Sequence, residues 1–169
     1  MKACYFLVSI FLLAAGQASA GPSQWTVEGA PEVRKLRFDG FADKGVAYTF
    51  TCAGQTLTAT ESGVTELMNP QDSRKIGDAP GSSMPAGAAV MTIFTDLTEP
   101  AFTAADAIPN AKSGWDLTIR LPLKDPAVRA LSKATSMSLM TTGWTGLVQL
   151  DAEDHAIISS FMKTCGAAP

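Results

Sequence analysis

The single histidine of this chain stands in acidic company, in the run Asp151-Ala152-Glu153-Asp154-His155. An imidazole beside carboxylates could shuttle a proton or help to hold a metal ion. The same spacing has a plainer source. Acids gathered in a first helical turn interact favourably with the helix dipole, and Asp151 is an N-cap type, which leaves His155 as a solvated residue one turn in. Asp96, Glu99 and Asp106 could be assembled into an acid/base pair, but scattered surface acids account for them equally well. Ser82-Ser83 does not sit in a G-x-S-x-G turn. There is no P-loop, dinucleotide fingerprint or H-E-x-x-H motif. The sequence therefore assigns no catalytic residue, no metal ligand and no cofactor, and an enzyme with a site near His155 is one alternative to be carried forward.

The cysteines make a stronger case. Cys4, Cys52 and Cys165 are an odd set until the start of the chain is considered. Lys2 is followed by an apolar run from Tyr5 to Ala15 and by Ala18-Ser19-Ala20, the small-residue pattern of a secretory cleavage site. The run is too short for a membrane span, so residues 1–20 read as a signal peptide and residues 21–169 as one domain of ordinary size. Cys4 leaves with the signal, and its place ahead of the apolar run does not suit a lipid anchor. Two cysteines then remain in an oxidising compartment, periplasmic or secreted, where pairing of Cys52 with Cys165 is expected. Closing so long a loop is expected to stabilise the fold by roughly 4–5 kcal/mol. Their separation is not C-x-x-C, which argues against thiol exchange. Two cysteines and one histidine also lack the ligands and spacing of a zinc site.

Charge narrows the partners. Past the cleavage site the chain carries 12 basic and 16 acidic residues, with Arg34-Lys35-Leu36-Arg37 as the densest basic cluster. No basic face is legible, so a nucleic-acid partner is not expected. No stable membrane insertion is expected after signal cleavage either.

The elements that would position any site are mostly strands. Val46-Ala47-Tyr48-Thr49-Phe50-Thr51-Cys52 alternates with period two, which turns Cys52 toward the core. Ala53-Gly54 is read as a turn, with Gln55 to Thr60 as the returning strand of a hairpin. Leu36 with Phe38 and Trp25 with Val27 suggest further short strands. Ala89 to Thr95 reads as a buried strand, and Trp115 to Leu121 has the cleanest alternation in the chain. Asp125-Pro126 starts a short helix over 126–134, and Asp151 starts a longer one over 152–164, on which Ile157, Ile158, Phe161, Met162 and Cys165 form a core-facing stripe. Ser136 to Thr142 and Leu147 to Leu150 are expected to form a last hairpin. The fold class expected is mainly β, a single antiparallel β-sandwich-like domain with a short helix and a C-terminal helix packed on it.

Two connections stand apart. Residues 69–87 hold three prolines and three glycines, long enough to be a mobile or a binding segment. Thr98 to Ser113 is a second polar, proline-containing stretch. Trp144, between two glycines in the last hairpin, is either an exposed docking ring or a lid folded back on the sheet. Trp144 with Met84 and Pro85 of the long connection form the candidate partner-binding set.

Two resemblances bear on function. The strand Leu147-Val148-Gln149-Leu150 running into a C-terminal helix resembles the end of the invasion-associated locus B proteins. These are small secreted β-rich proteins of Gram-negative bacteria implicated in host-cell entry, and the likeness implies a part in that process. Tyr48-Thr49-Phe50-Thr51-Cys52-Ala53-Gly54-Gln55 through Thr60 resembles the opening hairpin of periplasmic lysozyme inhibitors, which implies a binding protein that plugs a hydrolase. Neither resemblance carries a functional residue over to this chain. The expected function is an exported, non-enzymatic envelope or secreted protein that binds a protein or glycan partner, with a hydrolase inhibitor as the alternative.

Overall fold

The computed structural model describes residues 24–30, 34–77, 82–143 and 146–167. In chain order the elements are β1 (Trp25–Glu28), β2 (Lys35–Phe41), β3 (Val46–Ala53), β4 (Thr56–Val64), β5 (Val90–Thr95), β6 (Thr103–Ala104), β7 (Asp106–Pro109), β8 (Trp115–Pro122), α1 (Pro126–Ala130), β9 (Ser136–Thr141), β10 (Val148–Gln149) and α2 (Ala152–Ala167). They form two antiparallel sheets, a six-stranded one in the order β1-β2-β3-β4-β8-β7 and a four-stranded one in the order β10-β9-β5-β6. The mainly β class with one short and one C-terminal helix is the architecture expected from the sequence.

Period-two alternation decides which side of the large sheet is dry. Leu36 and Phe38 of β2, Val46, Tyr48 and Phe50 of β3, Leu57 and Ala59 of β4, and Trp115, Leu117 and Ile119 of β8 are all buried on one face. The register pairs Phe50 with Ala59 and Ala59 with Ile119, so these side chains form continuous rows across the strands. The other face is polar. Thr49, Thr60 and Thr118 are consecutive cross-strand partners on it, and the Thr60 and Thr118 hydroxyls hydrogen-bond at 3.0 Å. Met91, Ile93, Met137, Leu139 and Val148 of the small sheet join the same buried cluster. Each such fully buried side chain contributes on the order of 1.5–3 kcal/mol, which makes this shared interior the main source of stability. A chain of aromatic contacts runs through one end, with ring centroids 4.8 Å apart for Trp25–Phe38 and 5.7 Å for Phe38–Tyr48.

Several local details differ from the sequence reading. The β3–β4 hairpin pairs Ala53 with Thr56, so its two loop residues are Gly54 and Gln55, one position later than the expected Ala53-Gly54 turn. Gly54 has φ +57°, and the chain turns where that conformation costs least. Strand β4 continues past Thr60 to Val64, and Glu61 is fully buried in phase with Leu57 and Ala59. The stretch 98–113, expected as a polar, proline-containing connection, contains β6 and β7. Residues 103–104 pair with β5 of the small sheet, Ala105 donates its N–H to the Ala89 carbonyl at 2.9 Å, and residues 106–109 pair with β8 of the large sheet. One short segment thus changes sheets and ties them together.

Both helices begin where the sequence places them. The Asp125 carboxylate accepts from the Ala127 N–H at 2.9 Å, and Pro126 fills the first turn. Helix α1 ends at Ala130 instead of reaching 134, because the Leu131 and Lys133 N–H groups bond three residues back, to the Val128 and Ala130 carbonyls, and tighten the chain out of the α pattern. Asp151 accepts from the Glu153 and Asp154 N–H groups, while Asp154 accepts from the Asp151 N–H at 3.1 Å. This is a reciprocal capping box built with aspartate in place of glutamate. Helix α2 then buries Ile158, Phe161 and Cys165, and runs three residues further than expected.

Candidate functional site

The disulfide is present as expected. Cys52 at the end of β3 joins Cys165 near the end of α2, with Cα atoms 5.4 Å apart. Arg34 adds a hydrogen bond to Thr164 at 3.3 Å beside it. This corner is a structural clamp on the terminal helix.

The proposed partner-binding residues fall in different settings. Met84 is half-buried and packs against the core, whereas Pro85 is exposed. Pro85 lines a cleft of about 270 Å³ with Asn69, Asp72, Lys75, Ile76 and Ser83 among its walls. The connection that carries them is anchored at several points. Met68 bridges Lys75, Ile76 is buried, and the Trp115 indole donates to the Gly77 carbonyl at 3.0 Å. Trp144 lies outside the described residues. Just beyond it, the Gly146 carbonyl accepts the buried Tyr48 hydroxyl at 2.9 Å, and Leu147 is exposed. His155 is half-buried on α2, and among the described residues no three histidine, cysteine or acidic side chains gather as a metal site.

A feature that the sequence reading passed over lies between β5 and β6. The chain leaves β5 at Thr95 into a tight turn. The Thr95 and Thr98 hydroxyls hydrogen-bond at 2.9 Å, the Thr98 N–H reaches the Thr95 carbonyl at 3.3 Å, and the Leu97 N–H reaches the Thr95 hydroxyl at 3.4 Å. Asp96 latches the turn to the start of β9. One carboxylate oxygen accepts from the Thr135 and Ser136 N–H groups at 2.9 and 3.1 Å, and the other accepts from the Thr135 hydroxyl at 2.7 Å. These donors, the Thr135 hydroxyl foremost, hold the Asp96 carboxyl below its usual value.

What this framework presents to water is apolar. Leu97 is 55% exposed and Phe102 48% exposed, with Pro100 and Ala101 also open between them. A cleft of about 340 Å³ runs beside the turn, lined by Phe94, Leu97, Pro100, Asp96 and Glu99 among others. The segment returns to pair Thr103 with Met91, so its two ends lie along one edge of β5, roughly 13 Å apart at the spacing of extended backbone. The sequence did carry a signal here: two large apolar residues in a short proline-containing stretch with no strand or helix period to bury them. Compared with family models, with curated proteins and with solved structures, the chain matches none.

Proposed function

We propose that this protein is an exported, non-enzymatic binding module of the cell envelope or extracellular space, and that segment 96–102 is its contact surface. The observation that carries this reading is the hydrogen-bonded turn that carries exposed Leu97, with Phe102 exposed on the same connection. Burying both would reward association, and a turn already fixed by its own hydrogen bonds loses little freedom on docking. Exposed aliphatic and aromatic groups of this kind favour a protein partner over a glycan. The signal-like first twenty residues and the Cys52–Cys165 bridge are compatible with a periplasmic or secreted location. A hydrolase inhibitor is the more specific second reading. The rigidity of the 95–98 turn favours it, since an inhibitor must insert a preformed loop into a cleft.

The test compares the oxidised chain from residue 21 onward with a Leu97→Ser/Phe102→Ser variant as immobilised bait for envelope and medium extracts. Surface substitutions of this type change stability by about 0.5 kcal/mol or less, so both baits should melt alike. A saturable partner retained by the parent and lost by the variant is the expected result. A partner retained equally by both would remove the assignment of this segment.

A further inference from the structure

The charges around segment 96–102 bear on the chemistry of its partner. Three exposed acids pair with arginines, Asp39 with Arg37 at 2.7 Å, Asp72 with Arg74 at 2.9 Å, and Asp106 with Arg120 at 2.5 Å. Segment 94–105 holds Asp96 and Glu99 and no lysine or arginine. The partners of Asp96 are all neutral donors, two backbone N–H groups and a hydroxyl, so they orient its charge without cancelling it. Glu99 is exposed, and among the described residues it makes no ion pair. Asp96 and Glu99 line the same cleft as Phe94, Leu97 and Pro100. Among the described residues, negative charge without an ion-pair partner therefore lies beside exposed apolar surface, in a cleft that they line with no lysine or arginine.

We infer that segment 96–102 docks a basic amphipathic segment of a partner protein, with apolar side chains against Leu97, Pro100 and Phe102 and lysines or arginines against Asp96 and Glu99. The inference rests on the reading of this segment as the contact surface. Lysine and arginine suit it because each carries an apolar stem ending in a cation, matching a cleft lined by both apolar and acidic residues. Opposite charges across such a rim would chiefly speed encounter and select partners, while the apolar contacts would supply most of the residence time.

Two synthetic amphipathic peptides decide it, identical in their leucines but carrying lysine in one and glutamate in the other at every polar position. Each is titrated calorimetrically into the oxidised chain, the Leu97→Ser/Phe102→Ser variant and a Glu99→Gln variant. The lysine peptide should bind about tenfold or more tighter than the glutamate peptide, and its affinity should fall with added salt. The double variant should abolish binding, and Glu99→Gln should weaken the lysine peptide several-fold while leaving the glutamate peptide unchanged or tighter. If both peptides bind equally and the double variant loses both, the charge inference is overturned while the contact surface stands. Lysine-peptide binding that survives the double variant, or no binding of either peptide, overturns the inference and the surface assignment behind it.

Discussion

Opening the Cys52–Cys165 bridge is the perturbation whose size follows most directly from the structure. The cysteines are 113 residues apart in sequence, so the cross-link closes a loop comparable to most of the folded chain. In the chain-entropy treatment a loop of that length restricts the unfolded ensemble by about 4.8 kcal/mol at 25 °C. For a domain of about 150 residues each kcal/mol moves the melting temperature by roughly 3 °C, which predicts a drop of about 15 °C on reduction. The assay is calorimetric melting of the oxidised chain, of the same chain with a thiol reductant, and of a Cys52→Ala/Cys165→Ala variant. Reduction keeps both sulfur atoms in place and isolates the cross-link. The double alanine also leaves a small void where Cys165 is buried, and should melt slightly lower still. Amide exchange should quicken first in the last turns of α2, which the bridge and the Arg34–Thr164 hydrogen bond hold down. A drop of less than about 4 °C on full reduction would refute the reasoning, because the loop length would then not be what the bridge constrains.

Two other outcomes follow from single sites. The Asp96 carboxyl is held below its usual value of 3.8 by the Thr135 hydroxyl and then by the Ser136 N–H, so the folded state prefers the ionised form. Its contribution is complete above that value and is lost as pH falls through the lower folded value. Denaturant midpoints of the parent should therefore exceed those of Asp96→Asn at neutral pH and converge with them in acid; parallel curves would contradict the latch. Gly54 and Gly63 both have positive φ, but a Cβ at Gly54 meets open space whereas one at Gly63 would lie 2.2 Å from the Gly45 carbonyl oxygen. Gly54→Ala should cost about 1–2 kcal/mol and Gly63→Ala clearly more, as read from equilibrium unfolding, because backbone must move for the second but not for the first.

What the sequence made legible, and what it hid, has one physical cause. Strands β2, β3 and β8 carry large apolar residues at alternate positions, and β4 begins the same alternation at Leu57 and Ala59, because one face of their sheet is dry and the other is wet, and that contrast is written in the residues themselves. The disulfide was readable for a similar reason, since Cys52 falls in phase with Tyr48 and Phe50, and Cys165 falls on the buried stripe of α2. Strand β7 was not readable. Asp106-Ala107-Ile108-Pro109 is a short edge strand whose existence depends on the offered edge of β8, and its proline and aspartate are residues that edges use to discourage further pairing. The burial of Glu61 was not readable, because a carboxylate on the dry face breaks the apolar alternation. The turn at 95–98 was invisible because its order comes from threonine hydroxyls meeting one another and from Asp96 reaching Thr135, 39 residues away.

That same long-range latch explains how exposed apolar groups persist here without being folded away. A free seven-residue loop would be expected to collapse Leu97 and Phe102 onto the nearest apolar surface, since each gains by leaving water. Here the turn is closed by its own hydroxyls, tied at Asp96 to the start of β9, and returned to β5 at Thr103. The backbone is fixed at both ends and at one point between, so the two side chains stay in water while the sheet beneath them remains closed. The Cys52–Cys165 clamp serves the interior, because it holds α2 against the large sheet, whereas the Asp96 latch serves the surface. Reduction should therefore lower stability without altering the affinity of segment 96–102 for the lysine peptide, so long as the measurement is made well below the lowered melting temperature. Loss of affinity in step with reduction at such a temperature would mean that the clamp and the contact turn are a single unit.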